Sequence, residues 1–193
     1  MEIVRRYFAA AVDHRRTGTH LDQVQRLELL MNQVGVDANF SPARKAALLK
    51  EEATGAPAGA MVLPDGRVVT GKTSNLLGAA SSLLMNALKG VSGVDEDLFV
   101  ISDEVIEPIC KLKKNTLHAN NPRLHSDETL LALSVSSATD PVAKELIDHA
   151  GDLHGCDAFF SVIISETDEK LYRTLGINIC CEPKYEKRRF FHK

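Results

Sequence analysis

Residues 60–74 read Ala-Met-Val-Leu-Pro-Asp-Gly-Arg-Val-Val-Thr-Gly-Lys-Thr-Ser, and the fold turns on which of two readings this stretch is given. Residues 66–73 match the phosphate-cradling pattern G-x-x-x-x-G-K-[ST] letter for letter. Such a loop needs a buried strand ending before the first glycine, a wrap of backbone N–H groups, and a helix opening at Lys-Thr. The same letters also describe a hairpin. Asp65-Gly66 is a type I′ turn signal between two strand-like runs, Ala60–Leu63 and Arg67–Thr70. Adjacent valines favour extended chain, and a glycine at a strand-to-helix corner is common, so the hairpin is the expected reading. Under the alternative, Gly66, Gly71, Lys72 and Thr73 bind a nucleotide, with Asp103 near its metal at the end of Leu98–Ser102.

Before this stretch lie three helix signatures. Glu2–Arg16 carries Ile3, Tyr7, Phe8 and Val12 at helical spacing; Thr19 is placed to cap a helix bearing Leu21, Val24, Leu27, Leu30 and Met31; Ser41-Pro42 opens a third. The run Ala53–Gly59 breaks the pattern, so residues 1–56 are expected to form a helical arm, and residues 57–193 a separate unit with a short basic tail. After the hairpin, helices and strands alternate: a helix near 74–90, a strand at Leu98–Ile101, and a helix from Ser102 that Pro108 is expected to kink or delay. Then come helices from Ser126 and Asp140-Pro141, a strand at Ala158–Ser165, a helix stopped by Gly176, and a strand at Ile177–Cys181. Apolar strands between helices predict an α/β fold, a three-layer αβα sandwich with a mixed sheet.

Composition narrows the classes. The 193 residues are 44% hydrophobic and 25% charged, which is globular and leaves no run able to span a bilayer. A net charge of −3 with dispersed basic residues argues against nucleic acid as a partner; the tail Lys187-Arg188-Arg189-Phe190-Phe191 is expected to be a solvated terminus. Four cysteines without C-x-x-C spacing predict reduced thiols, and with no signal-peptide pattern a cytoplasmic setting is expected.

The segment 63–74, with Ile106-Glu107-Pro108-Ile109, Asn121-Pro122-Arg123-Leu124-His125 and Leu175-Gly176-Ile177-Asn178-Ile179, resembles an uncharacterised bacterial family, protein family 0371, also called domain of unknown function 1846. The resemblance covers most of 59–185. Members of that family are longer, and this chain is similar to their C-terminal part. The resemblance therefore implies a module of a larger protein, with the missing N-terminal region or a second copy of the chain as partner, and no assigned reaction. The order hairpin, helix, strand, helix is also similar to cytidine deaminases, but Ser81-Ser82-Leu83 stands where such an enzyme would carry a metal ligand and Glu, and H-x-E and P-C-x-x-C are absent. Zinc chemistry is thus excluded, and no metal or other cofactor is implied.

In a deaminase-like layout, helices opened by Ser74-Asn75 and Ser126-Asp127 would face one cleft, where free N–H groups favour an anion. Lys72, Ser74, Asn75, Arg123, His125 and Ser126 are the candidate residues of that cleft, Arg123 forking onto the anion and His125 donating a proton. Against this stands a plain reading: Ser126 and Asp127 cap, Arg123 meets a carboxylate, and His125 is a loop residue. His149, His154 and Cys156 lack a fourth metal ligand, and adjacent Cys180 and Cys181 on a strand point to opposite faces.

Overall fold

The computed structural model describes residues 2–37 and 41–186. Three helices, α1 (Glu2–Thr17), α2 (Leu21–Gln33) and α3 (Pro42–Thr54), precede strands β1 (Ala58–Val62) and β2 (Val68–Lys72). Helices α4 (Ala79–Ser92), α5 (Asp103–Asn115), α6 (Ser126–Ser136) and α7 (Pro141–Asp148) follow, then β3 (Asp157–Phe160), α8 (Glu166–Thr174) and β4 (Asn178–Cys181). The sheet order is β2-β1-β3-β4; β1 is antiparallel to both its neighbours and β3 runs parallel to β4, so the sheet is mixed. A parallel pair needs a crossover, and α8 supplies it.

Both faces of the sheet are covered, and alternation along the strands assigns residues to two cores. Met61, Phe160 and Cys181 face α4 and α8, where Leu83, Leu84, Leu88 and Tyr172 are fully buried. Ala60, Phe159 and Cys180 face the other way, against Val4 and Phe8 of α1 and Ala43 and Ala47 of α3. The small alanines of α3 let it lie close over β1, and Phe8 meets Phe159 edge to face with centroids 4.9 Å apart. A fully buried leucine contributes about 2 kcal/mol, so each layer matters. Helices α1 and α3 thus form one layer of the sandwich, sharing a cluster with Ala60 and Phe159 of the sheet. Only α2 stands outside, packed on α1.

Several local expectations are corrected. The hairpin exists, but Asp65 does not take positive φ; Gly66 does (86°), and the Gly66 N–H donates to the Leu63 carbonyl. This is a type I turn with Pro64 at its second position, closed by a left-handed glycine, where type I′ was expected. Helix α4 starts at Ala79, because the Ser74 hydroxyl accepts from the N–H groups of Leu76 and Leu77 and makes a turn there. Leu98–Ile101 is not a strand. Val100 and Ile101 are buried in the α4 core, and on the outer edge of β2 the Thr70 carbonyl is taken by the Asn86 side chain. Asn86 blunts that edge of the sheet. Thr19 does not cap α2; His20 does, at φ 63° with no side-chain bond. Helix α5 starts at Asp103 and runs through Pro108, and β3 ends at Phe160, five residues early. Ser41 caps α3 as expected, accepting from the Arg44 N–H. The basic cluster at 187–191 lies outside the described residues.

Gly71 shows why the second glycine of the motif is there. A Cβ built on it would sit 2.2 Å from the Leu83 backbone nitrogen and 2.5 Å from the Leu83 Cα, so β2 and α4 meet backbone to backbone. Gly71→Ala should therefore lower stability by about 1–3 kcal/mol in a urea titration, whereas Gly93→Asn, in open space at positive φ, should cost under about 1 kcal/mol.

Candidate functional site

The densest polar cluster joins the start of α6 to the start of α8. Asp168, 7% exposed, accepts at Oδ1 from the Ser126 N–H (2.8 Å) and the Ser126 hydroxyl (2.6 Å). At Oδ2 it accepts from the Ser165 hydroxyl (2.6 Å) and meets His125 Nδ1 at 3.1 Å. The loop that carries His125 is fixed along its backbone. Lys113 Nζ of α5 donates to the Arg123 carbonyl (2.6 Å), Ser81 to the Leu124 carbonyl (2.7 Å), and the Leu124 N–H to the Leu76 carbonyl (2.9 Å). The His125 N–H donates to Glu128 Oε2 (2.8 Å), which also takes Lys113 Nζ at 2.5 Å. His125 can therefore hardly move, and among the described residues its Nε2 meets no hydrogen-bond partner.

A buried carboxylate on four donors is electrostatically unusual. Burial pushes the Asp168 carboxyl up, but hydrogen bonds from His125, Ser126 and Ser165 outweigh it and hold the group below the ordinary carboxylate range. The bond to Asp168 raises the His125 imidazole above its usual value against the opposing effect of burial. Ser165, His125 and Asp168 do not form a hydrolytic triad: the serine and the carboxylate both lie on the Nδ1 side, and the Ser165 hydroxyl caps α8 by accepting from the Asp168 N–H.

The candidate residues divide between two cavities. Arg123 and His125 line one of about 260 Å³, with Asn121, Asp168, Tyr185 and Glu186. Lys72, Ser74 and Asp103 line another of about 660 Å³, walled by β2, α4 and the chain from Glu96 to Ile106. Between them, Arg123 Nε donates to the Ser74 carbonyl at 2.6 Å. Asn75 is exposed and lines neither. Two expectations are corrected here. Ser74-Asn75 opens no helix, and at the α6 N-terminus the Ser126 donors are already taken by a carboxylate of the chain itself, Asp168. The phosphate-loop geometry is also absent. Gly66 and Lys72 stand at opposite ends of an extended arm spanning roughly 20 Å, and the N–H groups of Gly66, Thr73 and Ser74 donate to Leu63, Pro57 and Leu77 carbonyls.

Over residues 39–191 the sequence matches the family described as domain of unknown function DUF1846, C-terminal. UPF0371 proteins of Corynebacterium efficiens and Corynebacterium diphtheriae are 44% and 43% identical over 192 residues, and one of Streptococcus pyogenes is 39% identical over the same length. The chain belongs to this family. Each match covers all of the chain but 39% of the relative, so this UPF0371 chain spans about two-fifths of the length of the curated relatives it matches. No reaction is assigned to the family.

Sequence reasoning missed three partners in this UPF0371 domain: Asp168, Glu128 and Lys113. Glu128 was within reach, three residues after His125 as in a capping box. Asp168 lies 43 residues from His125 and Lys113 lies 15 from Glu128, and no local spacing reveals such contacts. Among the described residues no group of three His, Cys, Asp or Glu could hold a metal; His149 instead bonds Asp152 and Glu145. No helix among them is long and apolar enough to cross a membrane.

A raised imidazole pKa stabilises the fold fully below the unfolded value near 6.5, and that stability fades as pH rises through the folded value. His125→Asn should therefore destabilise most near pH 5.5 and progressively less by pH 8.5 in parallel urea titrations. Asp168→Ala should cost about 3–5 kcal/mol at neutral pH, since it strands the Ser126 donors and leaves the imidazole without its counter-charge.

Proposed function

We propose that this chain is the C-terminal module of a longer cytoplasmic bacterial protein, and that the cavity beside His125 takes a small anion bearing a carboxylate or phosphate group. One observation carries the reading: a half-buried imidazole held at Nδ1 by a buried carboxylate, with its second nitrogen unengaged at a cavity wall. In that geometry the charged ring presents Nε2–H as a donor, and on losing that proton it becomes an acceptor. Arg123 adds positive charge to the same wall.

Glu186 supports the choice of an anion. Its Oε1 is buried without a hydrogen bond and lies 4.0 Å from Arg123 Nη1, and burial raises its carboxyl although Arg123 opposes this. The chain thus puts an acid where a ligand's acid would go, held weakly enough to be displaced. The four cysteines are free thiols, as suits a reducing compartment.

Sulfate is a suitable probe because its charge does not change across the range of interest. Calorimetry should show sulfate binding that weakens as pH rises and the imidazole loses its proton, and that His125→Asn abolishes throughout. Glu186→Gln should tighten it. Sulfate binding that ignores pH and survives His125→Asn would sink the proposal.

A further inference from the structure

We propose that the exposed apolar face of α2 is the seat of the region that precedes this domain in its full-length relatives. The inference rests on the reading of the chain as one module of a longer protein. Helix α2 buries a single residue, Met31, yet carries five further apolar side chains in 13 positions. Leu27, Leu30 and Val34 recur at intervals of three and four and form one stripe, with Leu30 at 47% and Val34 at 60% exposure; Leu21 and Leu29 add to the uncovered surface at 51% and 61%. A helix of this length is marginal on its own and draws its stability from burying apolar side chains; Met31 is buried and Val24 and Leu27 half-buried, while Leu30 and Val34 stay exposed.

Position selects the occupant. Met31 packs with Val4 and Phe8, and Ile3, Tyr7 and Val36 lie against the same cluster, so the C-terminal half of α2 sits beside the first turns of α1. In the relatives, the chain that precedes the matched part enters at this place, and it makes up most of their length. Leu30 and Val34 flank Met31 in sequence, so the uncovered side chains lie next to the start of α1. The fitting partner is an apolar helix or sheet face, since the α2 stripe holds no charge to pair.

The test co-expresses this chain with the portion of the Corynebacterium efficiens relative that precedes the match, and purifies by a tag on this chain alone. A one-to-one complex is expected, and Leu30→Asp with Val34→Asp should weaken it at least about tenfold while the melting temperature of the isolated chain stays unchanged. Phe99→Asp, which alters another apolar residue at 91% exposure, should leave the complex intact. If the complex survives the α2 substitutions undiminished, the surface is wrong although the modular reading stands. If no complex forms, the modular reading fails and the surface with it. If sedimentation shows the chain pairing with itself through Leu30 and Val34, a second copy is the occupant and the proposal is overturned.

Discussion

The Asp168 carboxylate is the point on which the polar half of the molecule depends. A bare charge at 7% exposure would not be tolerated, so the surroundings are built to satisfy it: two donors from Ser126, one from Ser165, and the imidazole of His125. Those contacts join the N-termini of two helices that are forty residues apart. The helix α6 end that could have received a foreign anion is neutralised from within, while the charge needed for this is relayed to His125 at the cavity wall. Lys113 and Glu128 make a second, adjoining pair that locks the loop between them. Ordering of His125 is thus a result of satisfying buried charge.

The apolar half depends on the sheet having two faces of unequal make-up. Toward α4 and α8 it presents large side chains, and Phe160 stacks edge to face on Tyr172, whose hydroxyl reaches the Ala80 carbonyl. Toward α1 and α3 the cluster is smaller, made of three alanines, two phenylalanines, Val4 and Met31, with Arg44 lying over both rings and paired to Glu182. Gly71 lets the α4 backbone close on β2, and Gly59 leaves room for the ring of Phe160, its partner across the sheet.

Local chemistry in the sequence spoke reliably wherever a few neighbouring residues decide the outcome. Asp65-Gly66 turns the chain, Ser41-Pro42 opens α3, Asp140-Pro141 opens α7, and the αβα class follows from the alternation of elements. It failed where a distant group competes for the same atoms. Ser74 looks like a cap but spends its hydroxyl on a turn, and Leu98–Ile101 looks like a strand but its Val100 and Ile101 are buried against the α4 core. The site shows the same division: His125 and Arg123 were visible as residues near a helix start, whereas the carboxylate that orients His125 comes from another element altogether.

Cys180 and Cys181 are neighbours in β4 but belong to different interiors, one against the α1 layer and one in the α4 core. Burial pushes their thiols up to about 11 and about 12, so neither carries appreciable thiolate in the folded state at neutral pH. Cys181 is buried, so its modification must wait for the α4 side to open, whereas Cys180 is only half-buried on the α1 side. Two adjacent residues thereby differ in reach: the Cys181 thiol is a clock for the opening of the α4 side, and the Cys180 thiol runs ahead of it.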